Sequence, residues 1–349
     1  MNSIKYIIIA LIVLTSCKKD KTEPLTEGGY SNGILVLNEG LFQLNNSTLS
    51  WVNLSTQDVT TDLFLSVNNR PLGDTGNDML LYGGKIYITV TGSSTVEVID
   101  RNTLKSIKQI SFNYNNQAQE PRNVVSHKGK VFVSSFDGYV SAIDTTSLQI
   151  TKRIKVGRNP EGLCVSNNSL YVANSGGLDY GNVDTTVFEI NLNTLMVVDT
   201  FVVGDNPGAV IADNYNNIYV VKRGDHGANP SELVRINTSD KSVVNLGIPA
   251  TSFTMVDNQL YISHYNYTTS SSSVAVYDCA SQAMINSSFI SNQDISTLYG
   301  ITPFKSDQFI CFDAMNYTNS GYLRFFNLSG QLTNSINVGL NPNSIIHYE

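Results

Sequence analysis

Residues 154–199 read IKVGRNPEGLCVSNNSLYVANS (Ile154–Ser175), then the polar insert GGLDYGNVD, then TTVFEINLNTLMVVD (Thr185–Asp199). Four short apolar runs lie in this stretch. Each ends at a Gly, a Pro or an Asn-rich turn. Runs of this length rich in β-branched and aromatic residues are strands, and the turn residues fold them back on one another. The stretch is one four-stranded antiparallel meander.

The same phrase recurs along the chain. Its second run appears as Ile34–Leu37, Ile86–Val90, Val131–Ser134, Leu170–Ala173, Ile218–Val221, Leu260–Ser263 and Phe309–Phe312, at intervals of 39 to 52 residues. Four strands repeating at such a period make propeller blades. The third run ends in Asp or Asn each time (Asn53, Asp100, Asp144, Asn191, Asn237, Asp278, Asn327). Such a side chain accepts hydrogen bonds from the turn that follows it.

First strands begin near Asn77, Arg122, Glu161, Gly208, Ser252, Tyr299 and Asn343. The last, Asn343–Tyr348, has no strands after it, and the opening run Gly33–Leu37 has no first strand before it. Pairing the two closes the ring and removes two open sheet edges. The fold class expected is all-β: a seven-bladed β-propeller, four antiparallel strands per blade, with the C-terminal strand joining blade one. Trp51 is expected in the core between blades.

The chain has 349 residues and a formal net charge of −7. With no basic run, nucleic acid is not an expected partner. Met1–Lys5 carries one positive charge, and Tyr6–Leu14 is apolar but too short to span a bilayer. Leu14-Thr15-Ser16-Cys17 resembles the bacterial lipoprotein signal, so residues 1–16 read as a signal peptide and Cys17 as the acylated residue. Residues 17–32, with Pro24 and Gly28-Gly29, read as a flexible tether. Residues 33–349 are the propeller. Lys18-Lys19-Asp20-Lys21-Thr22-Glu23 is a diluted form of the charged tag that follows the Cys of some surface lipoproteins. The expected location is therefore the outer membrane, lipid-anchored, facing the cell surface. Cys164, Cys279 and Cys311 make no disulfide framework. Without CxxC or HExxH, no zinc site and no catalytic residue is expected.

In a propeller, one face carries the turns between strands two and three together with the links between blades. These are long here in blades one, four, five, six and seven, and long connections are usually functional. The opposite turns are tight and purely structural. The candidate ligand-binding residues on the long-loop face are Phe42, Arg70, Arg122, Arg158, Glu161, Tyr180, Arg223, His226, His264, Tyr265, Tyr267, Asn316 and Tyr317. Rigid aromatics with polar tips, Asn and Arg suit recognition of a large polar ligand or a protein. The plainer readings stand beside this one. Loop aromatics also pack on rims, and Arg158 and Glu161 beside Asn159-Pro160 also fit an ordinary ion pair. His226 and His264, with Glu161 or Asp225, fit a metal or acid–base site, but a lone loop histidine is commonly just solvated.

Ile154–Gly162 and Leu170–Asn174 resemble the YVTN-type, YncE-like β-propeller repeat, as do Val203–Pro207 and Val338–Pro342. Ser66–Gly76 and Gly247–Thr251 lack the Val-Gly-x-Asn-Pro phrase. The whole chain is similar to surface lipoproteins of gut Bacteroidetes that capture cobalamin. That resemblance implies corrinoid binding on the loop-rich face, delivery to a TonB-dependent transporter and no chemistry on the ligand. Cobalamin would be bound as ligand, with no cofactor required. Two alternatives stay open: a metal-dependent lyase or lactonase, and an envelope adhesion or protein-interaction propeller.

Overall fold

The computed structural model describes residues 30–225, 228–291 and 295–349. The expected signal peptide, Cys17, most of the expected tether and His226 lie outside the described residues. Seven four-stranded antiparallel sheets form the chain, as the repeat predicts. Their first strands are Pro342–Tyr348 in blade one, Gly76–Tyr82 in two, Pro121–His127 in three and Pro160–Ser166 in four. Pro207–Ala212, Ser252–Val256 and Leu298–Phe304 follow in blades five to seven. In blade one the C-terminal strand pairs antiparallel with Gly33–Asn38, from Gly33↔Tyr348 to Leu37↔Ser344. The ring is thus closed by the last strand entering the first blade.

The apolar cores lie between the blades. Leu170 and Val172 pack towards blade three, while their neighbours Tyr171 and Ala173 pack towards blade five. Alternate side chains of one strand thus serve two interfaces. That is why these strands read as continuous apolar runs rather than as alternating ones. Full burial of one such side chain contributes about 1.5–3 kcal/mol. Trp51 is 2% exposed and belongs to the cluster between blades one and two. Cys164, Cys279 and Cys311 are buried free thiols, and burial pushes the Cys164 thiol up to about 12.

Turn chemistry follows the sequence. Asp100 Oδ1 accepts from the Asn102 and Thr103 amides at 3.0 and 2.9 Å, and Asp144 Oδ1 from those of Thr146 and Ser147 at 3.1 and 2.8 Å. The Asn of each Asn-Pro phrase takes a left-handed backbone (Asn159 φ 42°, Asn206 φ 57°, Asn341 φ 53°). Asn tolerates that region better than most residues.

Blade one departs from the repeat. Its outer strand is only Val59–Thr60, followed by a six-residue helix, Leu63–Asn68, that buries Leu63 and Phe64. A run this short carries no readable period. The link into blade three folds as a small hairpin, Asn113–Tyr114 with Gln117–Ala118.

Candidate ligand-binding site

The first strands surround an axial cavity of about 470 Å³. Every blade contributes a residue from the head of its first strand: Asn77, Arg122, Glu161, Gly208, Ser252, Tyr299 and Asn343. The repeat therefore delivers one register position seven times to a single ring. Asp78 and Asn123 follow in the same lining. Glu39, Arg223, Tyr267 and Tyr317 come from connections between second and third strands. Tyr265 comes from the end of the second strand of blade six, Gln259–Asn266, which runs on through the expected loop residues 264–266, so the cavity opens on the long-loop face. A side cleft of about 410 Å³ adjoins it between the loops of blades five and six. The cleft adds Asn229, Pro230, Ser231, His264, Asn266 and Thr268, and shares Arg223, Thr251, Tyr265 and Tyr267 with the cavity.

An ionic chain crosses three blades at the ring. Arg122 Nε stands 3.2 Å from Glu161 Oε2, and Arg223 Nη1 3.2 Å from Glu161 Oε1. The Arg122 guanidinium lies over the Phe136 ring, 4.7 Å from its centroid. The Ser134 hydroxyl donates to the Glu161 carbonyl at 2.6 Å, fixing the backbone beneath the carboxylate. Glu161 is 5% exposed. Burial opposes its charge, but the guanidinium groups of Arg122 and Arg223 outweigh burial and hold its carboxyl below the usual range.

Two glycines permit this approach. A Cβ at Gly162 would stand 2.3 Å from the Gly208 carbonyl oxygen, so the first strands of blades four and five nearly touch there. A Cβ at Gly208 would stand 2.6 Å from Arg223 Nε. The guanidinium therefore lies across bare backbone on its way to Glu161.

The remaining acids behave differently. Burial pushes the Glu39 carboxyl up, against a 2.5 Å hydrogen bond donated by the Tyr299 hydroxyl and the field of Arg122. Burial likewise raises Asp78, although it accepts from the Met79 and Val124 amides at 2.8 and 3.0 Å. The ring is also stitched blade to blade. Asn343 Nδ2 donates to the Gly76 and Asn77 carbonyls at 2.8 and 3.1 Å, and Asn77 Nδ2 to the Arg122 carbonyl at 2.9 Å. Asn343 Oδ1 has no partner among the described residues, which leaves an acceptor at the cavity wall. Above the ring, Tyr265 and Tyr267 meet edge to face with centroids 4.8 Å apart, and Tyr299 and Tyr317 do so at 6.0 Å.

The structure brings together Arg122, Glu161, Arg223, Tyr265, Tyr267 and Tyr317 in the cavity, with His264 in the adjoining cleft. It places the other described sequence candidates elsewhere, and His226 lies outside the described residues. Phe42 and Tyr180 are 67% and 73% exposed on their loops, outside both hollows. Arg158 pairs with Asp179 at 3.6 Å. Asn316 Oδ1 holds its own loop, accepting from the Thr318 and Asn319 amides at 3.2 and 3.0 Å. Arg70 lies over Phe64 and binds Glu97 at 2.8 and 2.9 Å in blade two. The short helix accounts for this, since it sets Arg70 beside Phe64 rather than over the channel. Glu39, Asn77, Asp78, Tyr299 and Asn343 line the cavity without having been singled out as site residues. Three of them stand at strand heads that the repeat marks. Among the described residues, no group of three or more His, Cys, Asp or Glu is placed to hold a metal ion.

Residues 32–317 match the family described as "Domain of unknown function (DUF5074)". No curated protein matches the chain. Among solved structures, a quinonprotein alcohol dehydrogenase-like protein of Bacteroides thetaiotaomicron aligns with a TM-score of 0.66 at 14% identity, over 92% of this chain and 79% of that one. The hydrazine synthase of Kuenenia stuttgartiensis aligns with a TM-score of 0.62 at 14% identity, over 76% and 87%. The computationally designed Ika8 protein aligns at 0.52 and 10% identity, over 76% and 88%. Likeness at these identities shows the fold alone.

Proposed function

Because the chain belongs to the DUF5074 family, whose description assigns no function, we propose its role from the site: it captures a large polar ligand at the mouth of the propeller channel and does no chemistry on it. The observation that carries this reading is the Arg122–Glu161–Arg223 chain set beneath the rim of Tyr265, Tyr267 and Tyr317. Rigid strands supply the floor, and amphipathic aromatics supply contact area at low entropy cost. A concave hollow of this size with a few convergent polar groups supports that reading.

Cobalamin is the specific candidate, on the resemblance of the repeat and the N-terminal signal. Its flat macrocycle fits against tyrosine faces. Its amide-tipped edges match Asn77, Asn343 and the Glu39 carboxylate, and its phosphodiester matches a guanidinium. Acylated Cys17 would hold the protein on the outer membrane, where it would pass the ligand to a TonB-dependent transporter. Calorimetric titration with cyanocobalamin tests the reading. One-to-one binding that weakens by about 1–3 kcal/mol in Tyr265→Ala supports it. Absence of heat at millimolar ligand removes cobalamin.

A further inference from the structure

We propose that Arg223 is the anion-binding element of this site: it takes a phosphate or carboxylate of the ligand where the axial cavity meets the side cleft. The proposal rests on the capture reading and specifies which part of the ligand is recognised by charge.

Four observations carry it. Arg223 lines both hollows, so its guanidinium stands at their junction. It spends only Nη1 on Glu161, whereas a guanidinium offers five N–H donors in a fixed fork. Its side chain is 39% exposed, against 18% for Arg122, so it is the more open of the two to an incoming ligand. Lastly, Gly208 leaves room for the guanidinium to lie across the backbone, which orients the fork.

The charge around it agrees. Arg122 and Arg223 share one carboxylate, so the trio carries a net positive charge. Among the ten described residues that line the side cleft, none is Asp or Glu. Asp205 and Asp225 hold Asn229 from outside that lining. Burial lowers the His264 pKa, which leaves an uncharged hydrogen-bonding ring at neutral pH. Among the described lining residues, the formal charge of the cleft is then that of Arg223. Tyr265 and Tyr267 stand beside it and offer faces for an aromatic or macrocyclic body. The ligand class is therefore a planar or macrocyclic body bearing one anionic group. Arginine suits such a group because it binds phosphate and carboxylate oxygens through paired hydrogen bonds.

The test compares cyanocobalamin, which has a phosphodiester, with dicyanocobinamide, which lacks that arm. The expected result is about tenfold or greater preference for cyanocobalamin in the wild type, for a charge-assisted bond of about 1.5–3 kcal/mol. The preference is lost in Arg223→Gln and partly kept in Arg223→Lys, and in both cyanocobalamin affinity falls by more than cobinamide affinity. Gly208→Ala, which pushes the guanidinium aside without removing it, reproduces the loss. Equal affinity of the wild type for both corrinoids, or an equal loss of both in Arg223→Gln, overturns the anion element and leaves capture standing. If neither corrinoid binds, the corrinoid reading fails and phenyl phosphate against phenol decides. Binding of phenyl phosphate alone, abolished in Arg223→Gln, sustains the anion element, and no binding overturns it.

Discussion

Arg223 of blade five places Nη1 3.2 Å from the Glu161 carboxylate of blade four, and it does so across Gly208. Arg122 of blade three closes on the same carboxylate from the other side. Glu161 thereby links three blades at the edge of the channel. A buried carboxylate in this position needs both guanidinium groups, because removing one partner of a buried pair leaves an uncompensated charge.

The pH dependence of stability follows from the directions of two shifts. The folded Glu161 carboxyl lies below its ordinary value, so its contribution is present above the usual carboxylate range and is lost as pH falls through the folded value. The folded Glu39 carboxyl lies above its ordinary value, so folding favours its protonated form. That contribution is complete below the usual range and is lost as pH rises through the folded value. Glu161→Gln should therefore cost about 3 kcal/mol at pH 7 and progressively less towards pH 3. Glu39→Gln should be neutral or stabilising at pH 7, with the difference fading in acid. Urea melts of the two variants across this pH range check both signs.

The two glycines beside the ion chain should respond differently. At Gly162 an added methyl meets the Gly208 carbonyl, which is backbone and cannot step aside. Gly162→Ala should lose about 1–3 kcal/mol by overpacking. At Gly208 the methyl meets the far end of a flexible arginine. Gly208→Ala should avoid that overpacking and lose only the compensation that Arg223 gives Glu161, so it should melt between the wild type and Gly162→Ala while losing the position of Arg223. Thermal melts of the pair, with a structure of Gly208→Ala, separate the two.

Closure of the ring rests on Tyr348. Its ring meets Trp51 edge to face at 5.1 Å, and its hydroxyl donates to the Arg101 carbonyl at 2.9 Å. Tyr348→Ala should cost about 3–5 kcal/mol. Removing residues 342–349 should do more, since it uncovers an edge of Gly33–Asn38 and a free face of blade seven. Size-exclusion chromatography should show that truncated chain as aggregate, and a monodisperse peak would contradict closure by this strand.

The lipid anchor has a separate test. If Cys17 is acylated, the wild type should partition with the outer membrane and Cys17→Ser should appear in the soluble fraction. Fractionation with an antibody against the propeller measures this, and equal partitioning of both forms would contradict the anchor.

The blades were legible because burial on two sides leaves unmistakable runs such as Leu170–Ala173, and because the strand count came out one short at the front and one long at the end. The site was legible in part. Arg122 and Glu161 stand one position after a strand-opening Pro, so the repeat itself points to them. Tyr299 and Asn343 occupy the same ring position, yet no local feature shows that the Tyr299 hydroxyl meets Glu39, 260 positions away. Asp78 was hidden because the facing of an inner strand depends on how closely its neighbour approaches. Arg70 was drawn towards the face by sequence proximity alone. The helix Leu63–Asn68, too short to announce itself, sets it beside Phe64 and Glu97 instead.

The most direct measurement is a calorimetric titration of the chain from Tyr30 onward, which holds every strand of the closed ring, with cyanocobalamin, run beside Tyr265→Ala and Arg223→Gln. Capture at the channel mouth predicts saturable one-to-one binding that weakens in both variants. Binding that is indifferent to both substitutions would place the ligand elsewhere. Absence of binding by the wild type would contradict cobalamin capture outright.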